Sequence, residues 1–208
     1  MQNMTFWTVL LLYALSYKAC VVAIEQESSK ANDFLIEKWG KWFYLDDFNQ
    51  DGILSLDDIK MFAENYKARN ELSDKQLKTI KQKMDRLWKT FYFTNKKEIS
   101  KDDFINMMKQ RYESNTAAFI EMVLVFSTIW CEVIDLNGDK FLSKDEFILN
   151  FVAQTHNNIR KDEQFFYTFQ PINERVPNED IIAYFVRFGT ESNRSKSDVV
   201  LNAVDSGV

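Results

Sequence analysis

The chain of 208 residues is 46% hydrophobic and 15% aromatic, with 31 acidic against 26 basic side chains and a formal charge of -5. That apolar content supports a substantial core and excludes a disordered chain, and an acidic balance without any Lys/Arg-rich run excludes a nucleic-acid-binding surface. Five glycines and two prolines leave little material for hairpins, so an all-α fold is expected.

At the N-terminus, FWTVLLLYAL over 6 to 15 has the length of a signal-peptide apolar region, and Val21 and Ala23 suit the positions before a cleavage site. A signal peptide over 1–23 is expected, hence a secreted or secretory-pathway protein; the alternatives are an uncleaved anchor or an N-terminal extension of a cytoplasmic protein. MQNMT carries no lysine or arginine, and Lys18 interrupts a segment that would need about 20 apolar residues to span a bilayer, so no stable membrane span is expected. Cleavage removes Cys20 and leaves Cys131, in FSTIWCEVI, as a buried core thiol with no disulfide. Asn193-Arg194-Ser195 is a glycosylation acceptor for a secreted chain.

The first helix follows from Leu35, Trp39, Trp42 and Phe43 at helical spacing. It runs into DFNQDGILSLDD at 47–58, whose oxygen-bearing residues recur at the spacing that wraps a hard cation. Asp47, Asn49, Asp51, the carbonyl of Ile53, Ser55 and Asp58 fill positions 1, 3, 5, 7, 9 and 12, and Gly52 makes the turn at position 6. Ile59, Phe62 and Tyr66 continue an exiting helix. Ser73 with Gln76 caps the next, which carries Leu77, Ile80, Met84 and Leu87 toward Trp88 and Phe91. Its loop, 92–103, places Tyr92, Thr94 and Lys96 at the first, third and fifth positions, and a lysine there repels an ion. This loop is expected to be silent; Phe104, Met107 and Met108 lie in the helix that follows.

A third unit enters through the apolar run from Ala117 to Ile134, which Glu121 and Glu132 mark as a core helix rather than a membrane span. Its loop, 135–146, offers Asp135, Asn137, Asp139, the carbonyl of Phe141, Ser143 and Glu146, with Lys140 where glycine normally takes positive φ. That substitution costs about 1 kcal/mol, or about fivefold in affinity. The fourth loop, 169–180, has Phe169, Pro171 and Asn173 at early positions and Pro177 at the ninth, so it too is expected to be silent. Residues 191–208 read as a tail that packs or stays mobile.

The segments ILSLDDI, EISKDDF, FLSKDEF and RVPNEDI recur at intervals of 45, 43 and 34 residues. Four helix-loop-helix units in two packed pairs are expected, 24–112 and 113–190, each pair joined by a short two-stranded β bridge. Ser55/Asp58, Ser100/Asp103 and Ser143/Glu146 have capping-box spacing. The silent hands remain useful as packing partners, since burying one apolar side chain contributes roughly 1.5–3 kcal/mol. Asp58 is one methylene shorter than glutamate, so the first site is the mixed calcium/magnesium candidate.

The four-unit layout, YLDDFNQDGILSLDDI, VIDLNGDKFLSKDEF, and the aromatic-rich FFYTF and AYFVRFGTES resemble the EF-hand proteins of the invertebrate sarcoplasmic calcium-binding and calexcitin-like group, over about 31 to 190. The resemblance implies a buffer of calcium and magnesium with some loops silent and a monomer as the default; the residues carry no catalytic constellation, so the chain is expected not to be an enzyme. The methionines Met61, Met84, Met107, Met108 and Met122 are dispersed, which favours a buffer over a sensor with an adaptable groove. The competing readings are a sensor acting on a protein partner and a carrier of an apolar small molecule walled by Trp39, Trp42, Trp88 and Trp130. No GxxxxGK[ST] or GxGxxG phosphate loop exists, and the single histidine, His156, reads as a surface residue.

Overall fold

The computed structural model describes residues 30–69, 72–93 and 96–208. The expected signal peptide, Cys20 and Thr94 lie outside the described residues. Each unit is a pair of helices around a loop: α1 (Asp33–Asp46) and α2 (Leu56–Arg69), α3 (Asp74–Phe91) and α4 (Lys101–Ser114), α5 (Thr116–Ile134) and α6 (Lys144–Ala153), α7 (Ile159–Thr168) and α8 (Asn178–Thr190). A ninth described helix, α9 (Val199–Asp205), ends the chain.

The loops pair as the repeat predicts. β1 (Ile53–Leu54) runs antiparallel to β2 (Ile99–Ser100), with Leu54 opposite Ile99. β3 (Phe141–Ser143) does the same with β4 (Arg175–Pro177), where Leu142 faces Val176. Leu54, Ile99, Leu142 and Val176 are all buried, so each bridge is an apolar rivet as well as a ladder. Loop 47–58 is thereby paired to loop 92–103, and loop 135–146 to loop 169–180.

Helix starts follow local chemistry. Asn32 accepts from the Leu35 amide at the head of α1, and Ser73 and Gln76 close a reciprocal box on α3. Of the three boxes expected at the loops, only Ser143/Glu146 closes in both directions. Ser55 Oγ accepts from Asp57 one residue early. Ser100 caps the Asp103 amide, but the Asp103 carboxylate goes to Lys96 at 2.9 Å.

The two pairs share one core. Trp39 meets Phe119 at 5.5 Å between ring centroids, Trp42 meets Phe126 at 5.1 Å, and Phe62 meets Trp130 at 5.7 Å. Each contact joins the first hand to α5, and α2 packs directly on α6. α5 is apolar and long enough by itself to cross a membrane, but it packs most extensively on α8 and also on α3 and α4. Glu121 and Glu132 are exposed on it and Cys131 is buried in it, with burial pushing the thiol pKa up. The helix therefore serves the core.

The tail packs. Asp198 caps α9 by accepting from the Leu201 amide, and Val200, Leu201 and Ala203 are buried. Its carboxylate also meets Lys38 of α1 at 3.1 Å, and the lysine donates to the carbonyls of Arg187 and Glu191 as well. Asn193-Arg194-Ser195 is exposed between α8 and α9. His156 differs from expectation: it is half-buried, 4.8 Å from the Phe151 ring and 3.4 Å from Asp162, because the chain turns at Thr155 (φ 69°) and folds it back onto α6.

Candidate metal centres

The first loop begins as α1 ends, and Asp47 is the residue that caps it. Asp47 is 4% exposed; its Oδ2 accepts from the Gly52 amide at 2.9 Å, whereas its Oδ1 is buried with no partner. Asn49 Oδ1 accepts from the Asp51 amide, and Asp51 Oδ1 from the Ile53 amide. From across the loop, Asp58 accepts from the amides of Asn49 and Ser55 at 3.2 and 2.8 Å. The twelfth residue thus already closes the loop between the third and ninth. Gln50 (φ 57°) and Gly52 (φ 83°) supply the two left-handed turns that curl it.

This concentration of carboxylates is electrostatically costly. Burial pushes the Asp58 carboxyl up to about 6, with Asp47 and Asp51 adding repulsion, and burial likewise raises Asp47. Asp46, immediately before the loop, is pushed up to about 7 by burial, against hydrogen bonds from Tyr92 Oη (2.5 Å) and Trp42 Nε1 (2.9 Å). A buried oxygen without a partner forfeits solvation with nothing in return. A hard divalent cation suits that deficit and this set of oxygen donors.

The third loop has the same curl with the glycine and non-glycine exchanged: Gly138 (φ 73°) at the fourth place and Lys140 (φ 66°) at the sixth. Glu146 Oε1 accepts from the Leu136 amide at 3.0 Å and Oε2 from the Ser143 amide at 3.0 Å. Asn137 Oδ1 accepts from the Asp139 amide. Here the aspartates are fully engaged. Asp135 Oδ1 accepts from the Gly138 amide, and its Oδ2 from the Lys140 amide and from Asn178 Nδ2 at 3.0 Å. Asp139 accepts from the Phe141 amide on one oxygen and the Arg175 guanidinium on the other. Among the described residues no three carboxylate, histidine or cysteine side chains converge as a cluster.

Loops 92–103 and 169–180 are closed by other contacts. In the second, Lys96 at the fifth position binds Asp103 at the twelfth, and the bond lowers the Asp103 carboxyl pKa. Tyr92 at its first position is buried and hydrogen-bonded to Asp46. In the fourth, Gln170, Asn173 and Glu174 all take positive φ, and Phe169 is buried. Residues from this loop and its exiting helix, Arg175 and Asn178, instead reach into the third. That cross-loop contact is invisible in the spacing of either loop alone.

No family model matches the chain. It is 28% identical over 176 residues to the sarcoplasmic calcium-binding protein of Mizuhopecten yessoensis, covering 84% of this chain and 99% of that protein. It is 24% identical over 123 residues to the protein of the same name from Perinereis vancaurica tetradentata, covering 58% and 69%. Among solved structures, the calcium-loaded apo form of the coelenterazine-binding protein of Renilla muelleri superposes with a TM-score of 0.67 at 18% identity, covering 82% of this chain and 93% of that one. A sarcoplasmic calcium-binding protein from amphioxus gives 0.57 at 16% identity, covering 83% and 97%. The fold is that of the EF-hand calcium-binding proteins.

Proposed function

We propose that the protein binds two calcium ions, one in loop 47–58 and one in loop 135–146, and acts as a calcium buffer or a calcium-stabilised secreted module. The observation that carries this is the buried, unpartnered Oδ1 of Asp47 inside a loop already closed by Asp58. Bound calcium supplies positive charge to oxygens that otherwise repel one another. Asp47, Asn49, Asp51 and Asp58 hold it by side chains in the first loop, with Ser55 at the ninth position. Asp135, Asn137, Asp139, Ser143 and Glu146 do so in the third. Magnesium competes at the first, where the short Asp58 favours six-fold ligation. The apolar N-terminal block supports the secreted form.

Two further observations favour a buffer over the other readings. The void lined by Trp42, Asp46, Phe126 and Trp130 is about 40 Å³, room for water and far below the roughly 300–1,000 Å³ of organic-ligand sites. Trp39 and Trp88 do not line it; both are packed in the core. Met84 and Met108 are buried and Met61, Met107 and Met122 partly buried, so the methionines offer no open groove.

The test is a calorimetric calcium titration of residues 24–208, with and without millimolar magnesium, beside Asp47→Ala and Glu146→Ala. The reading expects two sites, each lost with its own substitution, and weakening of the first by magnesium. Absence of calcium heat and of calcium-dependent stability would overturn it.

A further inference from the structure

The third loop is held by the fourth. Arg175, on β4, lies opposite Ser143 in the β3–β4 ladder, and this register places its guanidinium on Asp139 Oδ2 and over the Phe141 ring at 4.6 Å. Asp139 is the residue at the fifth ligand position. Three residues along, Asn178 donates its main-chain amide to the Lys140 carbonyl and its side-chain amide to Asp135 Oδ2, at the first ligand position. Among the described residues the first loop has no counterpart to this clasp, since Asp47 Oδ1 has no partner and the Asp51 carboxylate receives only groups of its own loop.

The two contacts differ in kind. Asn178 is neutral: it orients Asp135 and is compatible with a metal on the same carboxylate. Arg175 carries a permanent positive charge and sits on one oxygen of a carboxylate at a ligand position. The second loop shows what a resident cation does in this fold, because Lys96 at the fifth position binds Asp103 at the twelfth and closes that loop by itself.

We infer that Arg175 is a tethered competitor for the cation of the third loop, raising the calcium concentration at which that site fills. This rests on the calcium reading of loop 135–146. The silent fourth hand thereby sets the affinity of the live third one. Calcium must displace the guanidinium from Asp139 or share the carboxylate with it against charge repulsion. The half-exposed pair makes the displacement modest, about three- to fivefold in affinity.

The test isolates the third site in Asp47→Ala protein and compares Arg175, Arg175→Gln and Arg175→Lys by calcium calorimetry and by melting with and without calcium. Arg175→Gln is expected to tighten calcium about three- to fivefold and to enlarge the calcium-induced rise in Tm. Arg175→Lys, which retains the charge, stays near the parent. Binding unchanged or weakened in Arg175→Gln would overturn the proposal while leaving the calcium reading intact. If the third loop takes up no calcium with any residue at 175, the reading of that loop fails and the proposal with it.

Discussion

Lys38 and Asp198 form an ion pair 3.1 Å apart with side chains only 0% and 3% exposed. Burial lowers the lysine pKa, and Asp198 works against that by holding the charge in place. The pair fastens the C-terminal segment to α1, 160 residues away. Removing one partner leaves the other charge stranded, at a typical cost of about 3 kcal/mol. Lys38→Met is therefore expected to lower the urea midpoint by that equivalent. A loss below about 1 kcal/mol would mean the tail is held by its valines alone.

Tyr92 links the second loop to the end of α1, just before the first loop. Its hydroxyl donates to Asp46, whose carboxylate is otherwise served by Trp42. Tyr92→Phe leaves a buried acceptor short of a donor and should cost about 1–3 kcal/mol, read by equilibrium unfolding. Equal stability of the variant would show that water replaces the phenol.

Lys140 holds φ at 66° without being glycine. Lys140→Gly should relieve about 1 kcal/mol and tighten the third site about fivefold, measured by calcium titration in Asp47→Ala protein. The matching change in the first loop, Gly52→Ala at φ 83°, should move affinity the other way.

Gly189 sits where α8 passes Trp42. An added Cβ would lie 2.7 Å from Trp42 Cζ3 and 3.0 Å from Val123 Cγ1. Gly189→Ala should destabilise by about 1–3 kcal/mol through overpacking, less what alanine gains as a helix former. Circular-dichroism melting decides it, and an unchanged Tm would show that the indole can swing aside.

Because Trp39, Trp42 and Phe62 pack on Phe119, Phe126 and Trp130, the two hand pairs should unfold together. Near- and far-UV signals should give coincident transitions in urea. Two separated transitions would show that each pair is its own unit.

The helices, the loop pairing and the turn at Gly52 were legible because their signals are local: an apolar stripe, a serine three residues before an acid, oxygen donors two apart around a glycine. The contacts that organise the sites are not local. Arg175 and Asp139, 36 residues apart, meet only because β3 and β4 align their loops. Asp46 reads as one more acid beside a calcium loop, yet it is buried against Trp42 and Tyr92. Lys38, by residue type a surface charge, lies fully buried because the tail brings it a partner and two carbonyls. The Ser55 and Ser100 boxes were half right, since spacing cannot show that Lys96 takes the Asp103 carboxylate first.

Phe48, the second residue of the first loop, is buried between the two halves, with ring centroids 5.8 Å from Trp88 and 6.2 Å from Trp130. Its carbonyl accepts from Thr155 at the end of α6. A shift of this loop thus changes the surroundings of two indoles at once, one in each half. The protein carries its own optical gauge of the first loop, and its intrinsic emission can follow that loop in time without any attached label.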